Sequence, residues 1–545
     1  MDTLRTELEN FFKCKDSRET AVKFEHVPYG TAGFRGHSHK IKHLFTRIGL
    51  ISGLRALVEN GDVGIVITAS HNPIDDNGAK LIDSNGEMLA ADWEPVLEEF
   101  CNLPDDPKLV TERFLRLVQE YGLDLSQDQR RPTVLIGYDT RPSCESLVEL
   151  VLQGLSILSP FIETINYGQV TTPAMHFLVA ESNKLNECIK VTKYYEQLID
   201  GFVEIFRMSK STRKHYKPTE LIVDCANGVG YKTMEYLCNN KDFCQQLPIR
   251  LINRTDGILN HECGADFVKT EQKAPSNANE VGIRYASLDG DADRVIYFYL
   301  ETEQGAQKLR MLDGDKIMAL YALFLKDSIK RADLEDKLSL GIVQTAYANG
   351  ASSDYLKQQL GLQVDCVDTG VKNLHRKAKE YDFGIYFEAN GHGTIWVSSR
   401  AKEEISASNN EAGLHLKQIL KILNNYTGDA ISDILIVETI LDFYDMNIES
   451  WYKFYDDRPN SLIKVEVKDR NLIETTNAAR TCTKPVGLQD YIDSLIKTSS
   501  SQARTFVRAS GTENVVRIYA EAKTQKEADE IASKVAEKVI EMCNV

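Results

Sequence analysis

Short apolar runs punctuate the chain, and each stops at a turn of small or polar residues. Val63-Gly64-Ile65-Val66-Ile67, Val134-Leu135-Ile136, Leu221-Ile222-Val223-Asp224, Val295-Ile296-Tyr297-Phe298-Tyr299 and Gly384-Ile385-Tyr386-Phe387 are rich in β-branched and aromatic residues and do not alternate with polar ones. Runs of that kind predict short strands buried on both faces. Between them lie stretches at helical spacing, such as residues 145–158, so the pattern predicts α/β layers with parallel or mixed sheets and functional loops at strand ends. Near the end of the chain Ala528, Ile531, Ala532, Val535, Val539 and Ile540 recur at helical spacing and predict a helix over 527–542 that serves packing. The tract 400–425 reads as helix with a polar lead-in and carries no assigned role.

At 545 residues the chain is long enough for three to five domains. Breaks in the pattern place α/β units at 1–183, 184–300 and 301–446, and a smaller unit of short strands with the closing helix at 447–545. No fixed period marks these units as repeats. A net charge of −16 opposes nonspecific attraction to nucleic acid or anionic membrane, so an anionic substrate needs a local positive field. Arg35, Arg294, Arg508 and Arg517 are the candidates. Eleven scattered cysteines form no C-x-x-C pair, the first residues carry acid and no long apolar core, and no apolar run approaches membrane-spanning length. A reducing cytoplasm is the expected compartment, with no nucleic acid, membrane or obligate protein partner, and the sequons at Asn253 and Asn425 are then idle.

Three segments carry chemistry. In Thr68-Ala69-Ser70-His71-Asn72-Pro73 a serine follows a strand directly, either as the N-cap of a strand-to-helix connection or as a hydroxyl presented for phosphoryl transfer. In Asp289-Gly290-Asp291-Ala292-Asp293-Arg294 three carboxylates at alternate positions repel one another unless they share a cation, and hard oxygen ligands suit Mg²⁺. A solvated acidic turn is the alternative there; an EF-hand is excluded because the segment runs into a strand. In Arg508-Ala509-Ser510-Gly511-Thr512-Glu513-Asn514-Val515-Val516-Arg517, hydroxyls, backbone N–H groups and two arginines can ring a phosphate.

With Tyr29-Gly30-Thr31-Ala32-Gly33-Phe34-Arg35-Gly36, Gly137-Tyr138-Asp139-Thr140-Arg141-Pro142-Ser143 and Phe387-Glu388-Ala389-Asn390-Gly391-His392-Gly393-Thr394, these segments form six blocks in order. By them the chain resembles the α-D-phosphohexomutase superfamily over nearly its whole length, and within it the eukaryotic-type phosphoacetylglucosamine mutases. The resemblance implies three related α/β mixed-sheet domains plus a smaller C-terminal α+β domain around a central cleft. It implies a phosphoserine at Ser70, Mg²⁺ held by Ser70, Asp289, Asp291 and Asp293, and a sugar phosphate bound by Glu388, Ala389, Asn390, Arg508, Ala509, Ser510, Gly511, Thr512 and Arg517. The implied reaction interconverts N-acetylglucosamine 6-phosphate and 1-phosphate through a 1,6-bisphosphate, on the way to UDP-N-acetylglucosamine.

Asn390 stands where most of the superfamily has serine, and an amide both donates and accepts, which suits an acetamido group. The run Gly341 to Gly350 also resembles this family. Ala509 departs from the usual proline, which donates nothing to an anion, so the expected effect is a looser cradle. Lys80, His71 and His392 are candidates for proton transfer. His37, His39 and His43 have ligand-like spacing but read as a solvated loop. Alternatives are turnover of unacetylated or other hexose phosphates, or phosphosugar binding without turnover.

Overall fold

The computed structural model describes residues 2–14, 25–30, 33–125, 130–210, 219–510 and 514–543. The chain forms two compact units, Met1–Leu309 with Tyr426–Ser432, and Arg310–Asn425 with Asp433–Val545. Among the described residues no helix is long and apolar enough to cross a membrane.

The first unit holds two mixed sheets. One contains β1 (Tyr29–Gly30), β2 (Gly33–His37), β3 (Val63–Ile67), β4 (Asp76–Ile82), β5 (Thr133–Tyr138) and β6 (Glu163–Gln169), in the order β1-β2-β4-β3-β5-β6. Strands β3, β5 and β6 run parallel, and β4 returns antiparallel to β3. The other contains β7 (Leu221–Asp224), β8 (Ile249–Ile252), β9 (Arg284–Leu288), β10 (Val295–Glu303) and β11 (Ala306–Leu312), in the order β11-β10-β9-β7-β8. Here β8, β7 and β9 are parallel and β10 returns antiparallel to β9. The apolar runs of these sheets, Val63–Ile67, Val134–Ile136, Leu221–Asp224 and Val295–Tyr299, are buried throughout, as a sheet covered on both faces requires.

In the second unit β12 (Leu340–Thr345), β13 (Gln363–Val367), β14 (Phe383–Phe387) and β15 (Gly393–Val397) make a sheet of order β13-β12-β14-β15, again parallel until its last strand. The same four-strand pattern therefore occurs three times. In each, the functional loop joins the last parallel strand to the antiparallel one: β3 to β4, β9 to β10, β14 to β15. The C-terminal part adds β16 (Asn460–Glu466), β17 (Glu474–Thr476), β18 (Thr481–Lys484), β19 (Arg504–Ala509) and β20 (Val515–Glu521), with an antiparallel sheet β16-β20-β19 and a β17–β18 hairpin.

Helix Gln525–Cys543 closes the chain, burying Ala528, Ile531, Ala532, Val535 and Val539. Ile540 is exposed instead, because Ala536 and Cys543 complete the buried stripe. The tract 400–425 forms two helices, Ser399–Ala407 and Glu411–Ile422; Asn410 accepts from Gly413 N at 2.8 Å and starts the second. His39 and His43 lie in a short helix and a 3₁₀ turn, Ser38–Ile41 and Lys42–Leu44, and the His37 and His39 rings stack at 5.5 Å. Helix Thr172–Leu185 runs continuously through Asn183.

The run Gly341 to Gly350 has a structural task in the second unit. Gly350 N donates to Glu521 Oε2 at 2.9 Å, and Arg504 donates to the carbonyls of Ala346 and Ala348. Glu521 is fully buried and also accepts from Arg504 (2.9 Å), Arg458 (3.3 Å) and Tyr519 Oη (3.0 Å). Burial alone would raise its carboxyl; Arg504 and these hydrogen bonds outweigh that and hold it below its ordinary 4.5. Its contribution is therefore complete above that pH and is lost as pH falls through the lowered value. Glu521→Leu leaves two arginines without their common anion, and urea denaturation is expected to show a loss of ~3–5 kcal/mol.

Candidate active site

Ser70 sits in a hairpin connection, since β3 leads into β4 and not into a helix. Its φ is +50°, a left-handed conformation that an L-residue holds only when its surroundings impose it. Here they do. Ser70 O accepts from Arg141 Nη2 at 3.0 Å and from Asn260 Nδ2 at 2.8 Å, while Ser70 N donates to Thr68 Oγ1 at 2.9 Å. Thr68 Oγ1 donates to Asp139 Oδ2, which also accepts from Arg141 Nε. The Gly137 to Ser143 block thus serves to fix the serine loop. Gly290 packs so close that a Cβ there would meet Ser70 O at 2.5 Å.

That approach brings the aspartate loop to the serine. Ser70 Oγ donates to Asp291 Oδ2 at 3.2 Å and accepts from Arg35 Nη2 at 3.1 Å. Asp291 Oδ2 accepts also from Lys80 Nζ (2.6 Å) and Thr172 Oγ1 (2.7 Å). Asp289, Asp291 and Asp293 are buried, and one oxygen of each lies within 4.8 Å of the others, the one such metal-ligand cluster among the described residues. The solvated acidic turn is thereby excluded.

The triad fits a divalent cation. Asp289 Oδ2 and Asp291 Oδ1 are buried and make no hydrogen bond, a costly state for carboxylate oxygens unless a cation faces them. Burial, then Asp293 and Asp291, push the Asp289 carboxyl well above its usual range, whereas a hard cation would restore the charged form. Asp289, Asp291, Asp293 and an oxygen on Ser70 are the groups that would hold Mg²⁺.

The candidate proton carriers differ in state. Burial would lower the Lys80 ammonium, but Asp291 and Asp293, each at 2.6 Å, overcome it and keep Lys80 charged. Burial, together with Arg294 and Arg35, holds the His71 imidazole well below its usual value and therefore neutral. Burial and then Arg294 lower the Arg35 guanidinium, a crowding of cations that favours an anion at Ser70. Thr172 and Asn260 escape sequence reasoning: a Thr-Thr-Pro helix start and a lone loop asparagine carry no signal of chemistry.

The second unit carries the other two loops. Glu388 Oε1 accepts from Gly370 N at 3.1 Å, and Glu388 Oε2 from Asn390 Nδ2 at 3.2 Å. His392 N donates to Asn390 Oδ1 at 3.0 Å, so the carboxylate and the amide are oriented together around Ala389, with both side chains partly open to solvent. Gly314 backs this loop; a Cβ there would meet Glu388 O at 2.0 Å. Arg508 and Arg517 are direct cross-strand partners on β19 and β20, and Ala509 pairs with Val516. Opposed like charges destabilise a strand pair unless an anion lies between them. Ser510 is buried and donates its backbone N–H to Val515 O at 2.8 Å. Gly511 and Thr512 lie outside the described residues.

Family models match in chain order. Phosphoglucomutase/phosphomannomutase domain I matches residues 37–108 and 105–193, and its C-terminal domain matches 462–538; phosphoacetylglucosamine mutase AMG1 domains II and III match 187–296 and 313–446. The chain is 41% identical to phosphoacetylglucosamine mutase of Sus scrofa over 94% of this chain and 93% of that one, and 42% identical to the Arabidopsis thaliana enzyme over 94% and 95%. Among solved structures, Aspergillus fumigatus N-acetylphosphoglucosamine mutase in complex with GlcNAc-6P and magnesium superposes with a TM-score of 0.89 at 36% identity, covering 99% of both chains. A serine-to-alanine form of that enzyme has been solved with glucose 1,6-bisphosphate at the same score and coverage. With its mixed sheets and hairpin loops, this chain belongs to the phosphoacetylglucosamine mutase family of the α-D-phosphohexomutase superfamily.

Proposed function

We propose that the chain interconverts N-acetylglucosamine 6-phosphate and N-acetylglucosamine 1-phosphate, with Ser70 as the phosphoryl carrier and a 1,6-bisphosphate as the intermediate. The observation that carries this reading is the Ser70 hydroxyl held 3.2 Å from Asp291 inside a buried aspartate triad. Mg²⁺, when bound, neutralises charge on the transferring phosphoryl group.

In the first half-reaction the Ser70 Oγ–P bond breaks as a bond forms from phosphorus to the sugar's free hydroxyl oxygen. His71, neutral and half-buried, is in the state to take the hydroxyl proton, and Arg35 and Lys80 balance the charge left on Ser70. The bisphosphate then turns around, and Ser70 takes back the phosphoryl group from the other end. Two opposed arginines and a buried serine suit this turn: Arg508 and Arg517 with Ser510, Ala509, Gly511 and Thr512 grip whichever phosphate is distal. Glu388, Ala389 and Asn390 hold the sugar and its acetamido side. The product feeds nucleotide-sugar synthesis in the cytoplasm; ten of the eleven cysteines are free thiols, which supports a reducing compartment.

Turnover of acetylated against plain hexose phosphates tests the substrate assignment, and equal kcat/KM for the two would sink it. Asn390→Ser is expected to lower the preference for the acetylated sugar about tenfold, the worth of one well-made amide hydrogen bond.

A further inference from the structure

The β17–β18 hairpin turns through Asn477, Ala478 and Ala479, three successive residues with φ of +54°, +58° and +64°. None is glycine, and left-handed alanine costs roughly 1–2 kcal/mol. Such a turn persists where packing fixes it. Ala479 is buried against Ala346, Phe506 and Tyr519, which pins the inner side of the turn. Arg480, the next residue, is exposed, and its guanidinium donates back to Asn477 O (3.0 Å) and Asn477 Oδ1 (2.6 Å). The strain therefore aims one arginine.

It aims at a cavity of ≈500 Å³ beside the free edge of β13. Lys357, Lys377, Arg480 and Arg504 line this cavity against a single carboxylate, Asp365. Arg504 is matched by Glu521 and Lys377 by Asp365, but Lys357 and Arg480 have no carboxylate partner among the described residues. Burial raises the Cys366 thiol, Arg480 and Arg504 pull it down, Asp368 raises it and Lys357 lowers it, so three cations face this wall against Asp365 and the neighbouring Asp368. In a chain of net charge −16 a cluster of that sign is a local exception. The volume falls in the small-ligand range, well above what a bare oxyanion fills. Nor is this the Arg508 cradle: Arg508 lies four positions along β19 from Arg504, about 13 Å of strand.

We propose that this cavity is a second anion site, taking the phosphate group of a small phosphorylated metabolite on Lys357 and Arg480, with the organic part against Ala346, Ala348 and Val367. Its occupant borders the strand that continues through Asp368 and Thr369 to Gly370, whose N–H orients Glu388.

Equilibrium dialysis of the full chain with labelled inorganic phosphate tests the site. A Lys357→Gln/Arg480→Gln variant is expected to bind one phosphate fewer than wild type, or to bind it more than tenfold more weakly, with mutase turnover unchanged when no phosphate is added. Arg508→Gln should retain that phosphate while losing another. Phenyl phosphate should bind the site more tightly than inorganic phosphate. Equal stoichiometry and affinity in wild type and the double variant would overturn the proposal. Loss of all phosphate binding in Arg508→Gln would overturn it too. Phenyl phosphate binding no tighter than phosphate would overturn the assignment to a metabolite.

Discussion

Ser70→Ala is expected to lower mutase turnover by at least ~10⁴-fold, the scale on which enzymes lose rate when a covalent nucleophile is removed. The same change should remove a single phosphate from the intact mass of the purified protein. Sugar-phosphate affinity should survive, because Glu388, Asn390, Arg508 and Arg517 are untouched. The fold should survive as well: Ser70 is anchored through its backbone carbonyl by Arg141 and Asn260, and only the Arg35 and Asp291 bonds depend on its hydroxyl. Retained turnover with an unchanged mass would end the phosphoserine reading.

Asp289→Asn is expected to move activity and apo stability in opposite directions. Turnover falls by roughly 10²–10³, the usual cost of one preorganised charged group at a transferring phosphoryl. Yet the protein without divalent cation should gain roughly 1–3 kcal/mol, because an amide is buried beside Asp291 and Asp293 without the cost of first protonating a carboxylate. The backbone bonds from Asp293 N and Arg294 N to Asp289 Oδ1 remain available to the amide oxygen. Melting curves with excess chelator and with excess Mg²⁺ check both halves. A variant less stable than wild type in chelator would show that the triad is not built to hold a cation.

Much of the frame was legible in the chain because the buried strands of these sheets are short apolar runs, and those from Val63, Leu221, Val295 and Gly384 all became strands. The threefold pattern was not legible. In the first sheet the hairpin β3–β4 precedes the pair β5–β6, whereas β9–β10 and β14–β15 follow theirs, so no alignment of periods brings the three into register. The aspartates announced themselves by mutual repulsion and the arginines by flanking hydroxyls. Thr172 and Asn260 gave no such sign, since each acts through hydrogen bonds to a loop more than a hundred positions away. The run Gly341 to Gly350 stands out in the chain by its resemblance alone, and its structural role as the seat of Glu521 and Arg504 depends on residues more than a hundred positions away.

The three hairpin loops differ in how freely mutation can reach them. The serine and aspartate turns are interlocked by the approach of Gly290 to Ser70 O, so a bulkier residue in either displaces the other, and the pair must vary together or not at all. The turn holding Glu388 and Asn390 leans on Gly314 and Gly370 of its own unit. On the function proposed above, an ancestral chain could therefore change its diet of sugars by altering one turn, while the phosphoryl chemistry stayed frozen in the other two.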